Sequence, residues 1–379
     1  MGNAGFLPQL NLNAAATFAT NDTKQEYSNG PPVNKEGVES NNINSAVGLS
    51  WTLFDGFKMF ATRNKLKELE AMGELNLKMQ VETSIAQLIN AYYAIVMQKQ
   101  LLKAMSEEIG ISEERLKITE KKAEIGSASK VDLLQAKVDK NEQQSILLKQ
   151  KTILNQNKAE LNQLLSRPAE TGFDVADTIA INYNPVFNDL KSNVDKQNTS
   201  LLMAQRSVNV ANYSLQEIGS QRYPKLAFLS NYVFSRAENQ AGFTLLNQNL
   251  GWNYGLTLTM PLFNGFNLNN QYKNAKLSLL NSNFEYKNTQ LQVDVDLVKT
   301  YRQFKDNLET LALEEENIKL AKENVAIALE LFRLGTTNFL TLKEAQKSYE
   351  DAMNRLVTAR YNAKISETEL MRLNSVLVK

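Results

Sequence analysis

The chain contains no cysteine and no histidine. That removes disulfide frameworks, thiolate nucleophiles, Ser-His-Asp chemistry and the usual zinc and haem ligands together. An enzyme would be left with carboxylate, Lys, Tyr or Ser/Thr chemistry. No Gly-rich phosphate loop, nucleophile elbow or paired-carboxylate motif in a βα setting is present to organise it, so no enzymatic activity, cofactor or metal site is expected. A basic excess is also missing. Lys+Arg 42 against Asp+Glu 41 leaves a formal charge of +1, which excludes a nucleic-acid partner. No run approaches the roughly 18 uncharged apolar residues of a membrane-spanning helix. The start, Met1-Gly2-Asn3-Ala4-Gly5-Phe6, has neither the basic nor the apolar segment of a signal peptide. Neither absence bears on a β-barrel, whose short alternating strands leave almost no hydropathy signal.

What the 379 residues do contain is a long-range self-similarity. Leu53-Phe54-Asp55-Gly56-Phe57 recurs as Leu262-Phe263-Asn264-Gly265-Phe266, and Ile125-Gly126 recurs as Leu334-Gly335. Both recur at an offset of 209 residues (265 less 56, and 335 less 126). The same offset pairs Tyr92 with Tyr301, Leu133 with Leu342, Ala136 with Ala345, Leu161 with Leu370 and Leu164 with Leu373. Long rigid helices require such constancy, because one inserted residue rotates every later side chain by about 100°. Upstream, Leu7-Pro8-Gln9-Leu10 matches Tyr223-Pro224-Lys225-Leu226 at an offset of 216 (224 less 8). The change of offset places a loop of different length between the two strands of each repeat.

Four segments alternate with period two. Leu10, Leu12, Ala14, Ala16 and Phe18 oppose Gln9, Asn11, Asn13, Ala15 and Thr17; Val47, Leu49, Trp51 and Leu53 oppose Ala46, Gly48, Ser50 and Thr52. Trp252, Tyr254, Leu256, Leu258, Met260 and Leu262 oppose Asn253, Gly255, Thr257, Thr259 and Pro261, while 226–235 is noisier, with Leu229 and Val233 on the other side. Each runs about ten residues, the length that a tilted strand needs to cross a bilayer. Leu10, Leu12, Phe18, Leu49, Trp51, Trp252, Tyr254, Leu256 and Leu258 are the expected lipid-facing set. The stretches 21–34 and 238–249 read as exposed loops. Four strands leave two open edges, which hydrocarbon does not permit, so one chain cannot make a pore. Three copies would close a twelve-stranded barrel.

Between the strand pairs lie long helical stretches. From Phe57 to about Glu124 there is no proline, and Ile85, Leu88, Tyr92 and Ile95 step as a coiled-coil seam over a helix of roughly 100 Å at 1.5 Å per residue. Ile318, Ala321, Val325, Ala328 and Phe332 repeat the pattern in the second half. The expected organisation is a first repeat over 1–166, with strands about 7–20 and 44–54 and helices about 57–125 and 128–166. An irregular equatorial linker follows over 167–184. The second repeat, 185–379, carries a helix about 186–219, strands about 224–235 and 250–263, and helices about 266–334 and 337–376. No counterpart of helix 186–219 precedes the first strand, so the chain is expected to lack a signal peptide and one helix at its N-terminus. Such a protomer is expected to assemble poorly, with apolar stripes uncovered.

In this order and spacing, the strand beginnings, the strand ends Trp51 to Gly56 and Met260 to Gly265, and the turn Phe332-Arg333-Leu334-Gly335-Thr336-Thr337-Asn338-Phe339-Leu340 resemble the TolC-like outer-membrane efflux protein family. The resemblance covers essentially the whole chain. It implies a mixed α and β membrane protein, a homotrimer whose barrel continues into a coiled-coil α-helical barrel. It implies a location in the Gram-negative outer membrane with a periplasmic extension, in contact with outer-membrane lipid. The partners it implies are a periplasmic adaptor and an inner-membrane pump of RND or ABC type. The role it implies is a passive exit duct for tripartite efflux or type I secretion. By similarity the adaptor-docking tips are Ile125, Gly126, Ser127 and Leu334, Gly335, Thr336, Thr337, Asn338, and Asp132 and Glu344 fall on acidic positions of a tip gate. Phe332, Thr337 and Thr341 depart from the family's gate pattern, and Asp132 reads equally as a helix-start carboxylate. The alternative class is a structural coiled-coil protein without channel activity.

Overall fold

In the computed structural model, residues 4–241 and 244–378 are described. The element order is β1 (Gln9–Gln25), β2 (Val33–Phe54), α1 (Lys58–Glu124), α2 (Lys130–Leu164), α3 (Phe187–Gln197), α4 (Thr199–Ser220), β3 (Lys225–Asn239), β4 (Leu246–Thr259), α5 (Asn267–Leu334) and α6 (Phe339–Leu373). Two strands, a long helix and a shorter helix thus occur twice in the same order, with α1 and α5 at 67 and 68 residues and α2 and α6 at 35 each.

Contacts divide the chain into two compact units, Met1–Glu74 with Met203–Lys287, and Leu75–Leu202 with Asn288–Lys379. The first holds one antiparallel sheet in the order β1-β2-β3-β4. Beside it, α4 meets the start of α1 through the Lys65–Glu217 ion pair and through Arg206 to Glu68 at 3.1 Å.

The strands differ from the alternation in extent. Asn21–Gln25 and Val33–Val38 continue the β1–β2 ladder past a bulge between Asn21 and Thr23. Thus half of 21–34 lies in the two strands, and the connection shrinks to 26–32. Polar residues extend a ribbon as well as apolar ones when both strands satisfy each other's backbone. Likewise β3 and β4 run to Asn239 and from Leu246, so only 240–245 connects them; Gly242 and Phe243 of the expected loop lie outside the described residues. Strand β4 ends at Thr259, before Pro261, since proline cannot donate to the ladder. The helix expected over 186–219 is two, because Asn198 adopts an extended conformation (ψ 119°) and caps α4 by accepting from Leu201 N at 3.1 Å.

The second unit is helical. Ile95, Val96 and Leu161 form a cluster with Val175 and Ile179 of the irregular segment 165–186. Leu190 and Val194 of α3 close over Val293, Leu297 and Phe304 of α5 and Leu370 of α6. A third cluster joins Val325, Ala328 and Phe332 of α5 to Leu342, Ala345 and Tyr349 of α6, with Ile111 and Ile118 of α1 against it. The linker is therefore packed, with Glu367 accepting from the Asn182 and Tyr183 amides at 3.1 and 3.0 Å.

Candidate functional site

The register decides what the sheet presents. Leu10 pairs with Leu49 and Leu12 with Val47; Leu49 pairs with Ser230 and Trp51 with Phe228; Ser230 pairs with Tyr254, Tyr232 with Trp252, Phe228 with Leu256 and Leu226 with Leu258. Directly paired residues share a face, so all nine residues expected to face lipid fall on one side of the sheet. Most are widely open in the single chain, Trp252 at 70% and Tyr254 at 78%. Their indoles are not left unpaired: Trp51 Nε1 donates to the Phe6 carbonyl at 2.9 Å and Trp252 Nε1 donates to Ser230 Oγ. An apolar solvent would demand that.

The opposite face carries Asn11, Asn13, Asn44, Asn231 and Asn253 with Ser, Thr, Ala and Gly. Among the apolar exceptions on this face, Leu229 and Val233 stand opposite Gly255 and Gly251, and Val38 stands opposite Asn21. One expectation is corrected here. A bulge between Thr52 and Phe54 puts Phe54 opposite Leu226, so Phe54 and not Leu53 continues the ladder of the apolar face.

Each second strand leads into its long helix through two successive left-handed residues, Gly56 (φ 71°) and Phe57 (φ 68°), then Gly265 (φ 65°) and Phe266 (φ 62°). Asp55 and Asn264 accept from the amides of Met59 and Leu268, capping the helix starts. Phe6, Phe54, Phe57 and Phe60 form an aromatic cluster at the first of these turns, with Phe6 and Phe60 edge to face at 5.1 Å between centroids and Phe57 tilted against Phe60.

At the hairpin tips Gly126 (φ 77°) and Gly335 (φ 81°) reverse the chain. The amides of Ser127 and Thr336 reach back to the carbonyls of Lys122 and Leu331 at 2.8 and 3.1 Å, a Schellman closure in each case. Ile125, Ser127, Leu334 and Thr336 lie exposed on these turns. Asp132 completes a capping box: its amide donates to Ser129 Oγ at 3.0 Å and its carboxylate accepts from the Ser129 amide at 3.1 Å. Asn338 caps α6 by accepting from Thr341 N at 2.9 Å. Glu344 is exposed one turn into α6, and among the described residues no bond joins it to Asp132.

The sequence reading missed a buried polar seam behind the tips. Glu108, Ser112, Arg115 and Thr119 line one face of α1, none more than 5% exposed. Arg115 donates to Asp139 Oδ2 of α2 at 2.8 Å and to Gln346 Oε1 of α6 at 2.7 Å, and its guanidinium lies 4.8 Å from the Phe339 ring centre. Lys343 of α6 and Gln135 of α2 both donate to Asp139 Oδ1, at 3.0 and 2.8 Å. Burial opposes ionisation of Asp139, but the hydrogen bonds from Gln135 and Lys343 and the nearby positive charges outweigh it and hold the carboxyl below its ordinary value. Burial, then the Glu350 carboxylate beside it, pushes Glu108 up to about 8, against the Gln143 hydrogen bond. The spacing 108, 112, 115, 119 is the seam spacing of a coiled coil, and that was the available signal.

A family model described as outer membrane efflux protein matches residues 1–167 and 190–374. The chain belongs to the outer membrane efflux protein family. This TolC-like chain is 21% identical over 396 residues to the outer membrane protein TolC of Escherichia coli (strain K12), covering 98% of this chain and 78% of that protein. Its fold matches the outer membrane protein VceC of Vibrio cholerae with a TM-score of 0.80 at 16% identity, covering 98% and 88% of the two chains. The outer-membrane channel OprN matches with a TM-score of 0.80 at 15% identity, covering 98% and 82%. A four-stranded sheet with long helices is thus the fold of these outer-membrane factors, and efflux across the outer membrane is the activity of the family.

Proposed function

We propose that the chain is one protomer of a homotrimeric exit duct, built as an internal tandem repeat, through which an energised partner passes cargo from periplasm to exterior. The observation that carries this reading is the one-sided sheet. Its apolar face requires lipid, its polar face suits a wet lumen, and β1 and β4 each keep an open edge that only further copies can satisfy within a membrane. Three copies give a closed barrel of twelve strands, within the range of outer-membrane barrels. The hairpin tips then dock a periplasmic adaptor coupled to an inner-membrane pump of RND or ABC type. Asp132 and Glu344 narrow the passage as charged groups near the tips. The duct does no chemistry; the pump supplies the energy.

The test is purification from membranes in detergent, followed by sedimentation and planar-bilayer recording. A trimer that conducts ions supports the duct, and its ready recovery contradicts the expectation of poor assembly. A water-soluble monomer with its sheet packed on its own helices overturns the duct and leaves the structural coiled coil.

A further inference from the structure

Charge is divided unevenly between the two faces of the sheet. Over its paired stretches, Gln9 to Asn21, Val38 to Phe54, Lys225 to Asn239 and Leu246 to Thr259, the charged side chains are Glu39, Lys225, Arg236 and Glu238. Three of these stand on the apolar side at the end remote from the long helices, Glu39 opposite Thr20, Arg236 opposite Ile43 and Glu238 opposite Asn41. They are already engaged: Arg236 Nε donates to Glu238 Oε1 at 2.9 Å, and Glu39 Oε2 accepts from Gln240 Nε2 at 3.0 Å. Lys225 is on the polar side, next to Leu226 of the apolar side and opposite Thr259. It is exposed, and among the described residues no carboxylate pairs with it. The rest of that side is neutral. One row runs Asn11, Gly48, Asn231 and Asn253 across all four strands. A carboxamide offers donors and an acceptor together, so it serves the hydration shells of cations and anions alike. The counterpart of Lys225 in the first repeat, Gln9, is one more carboxamide.

We propose that Lys225 sets the charge preference of the barrel, three copies forming a cationic collar where the strands meet the long helices, so that anionic solutes pass more readily than cations of the same size. The inference rests on the duct reading above and deepens it by naming the class of cargo. Strands and lipid surround the collar with low-dielectric material, which keeps its field within the wet passage. No carboxylate on the polar side of the sheet opposes it. Uncharged polar solutes meet only amides and hydroxyls and are indifferent to the collar.

The test is planar-bilayer recording of the detergent-purified full chain under a KCl gradient. In about 0.1 M KCl, Lys225→Gln should lower the chloride-to-potassium permeability ratio by about threefold, the effect of removing three charges about one Debye length from a passing ion. Lys225→Glu, which inverts the charge, should lower it by about tenfold. Both differences should shrink in about 1 M KCl, where the Debye length is about 3 Å. Since the chain has no cysteine, Lys225→Cys places one thiol per protomer at the collar of channels that are already assembled. A cationic methanethiosulfonate reagent, forming a mixed disulfide with loss of methanesulfinate, should restore the parent's ratio, and an anionic one should reproduce Lys225→Glu. Lys225→Cys thus carries the measurement if Lys225→Glu does not assemble. Equal ratios in parent and variants overturn the collar. So does a lowered ratio that the cationic reagent fails to restore, because altered packing rather than charge then moved it. A parent that conducts no ions overturns the duct reading, and the collar with it.

Discussion

Gly56 lies so close to Ser220 that a Cβ at position 56 would stand 2.4 Å from the Ser220 carbonyl oxygen. Its counterpart Gly265 has the same left-handed backbone but nothing within 4 Å of the corresponding point. Each strand-to-helix turn asks for glycine, and only one asks for it twice over.

Gly265→Ala should therefore cost about 1 kcal/mol, the price of alanine in a left-handed conformation. Gly56→Ala should cost about 3 kcal/mol or more, because backbone overlap with Ser220 and with Tyr223 Cβ is added. Thermal unfolding of the two variants in detergent checks the ranking. Equal destabilisation would mean that α4 does not hold this position against the turn.

The sheet predicts an asymmetry of its faces. Leu256→Arg puts a charge on the apolar side and should reduce membrane assembly by about 2–4 kcal/mol if it lies near the bilayer midplane. Asn253→Arg, three residues away on the polar side opposite Asn231, should leave assembly intact and alter ion selectivity. Heat-modifiability on gels and reversal-potential measurements read the two effects separately.

Stability should depend on pH through Glu108. Its carboxyl is raised from 4.5 in the unfolded chain to about 8 in the folded one, so the folded state holds the proton more tightly. The contribution is complete below about pH 4.5 and is lost as pH rises to about 8. Asp139 works in the opposite sense, contributing above its unfolded value of 3.8 and losing that contribution as pH falls through its lowered folded value. Melting temperatures from pH 5 to 9 should fall for the parent and stay flatter for Glu108→Gln. An identical slope in both would remove Glu108 from the account.

Much of this architecture was legible without coordinates because periodicity reports burial. Leu10, Leu12, Leu256 and Leu258 alternate since a strand has two faces, and Gly126 and Gly335 mark helix reversals since few other residues adopt a left-handed turn without strain. Where no apolar signal existed, the reading fell short. The polar ribbon 21–38 pairs through backbone groups that every residue carries. Asn198 resembles any helical asparagine until its cap is seen.

The sequence by itself determined the strand faces, the long helices and the hairpin turns, because each follows from local chemistry repeated at a period of 2 or about 3.6 residues. Only the tertiary structure decided that Phe54 displaces Leu53 on the apolar face, that Asp132 closes a capping box, and that Arg115 joins Asp139 to Gln346. Those depend on which side chains from distant segments meet at hydrogen-bond distance, and a pairing between residues 24 and 231 positions apart leaves no trace in either neighbourhood.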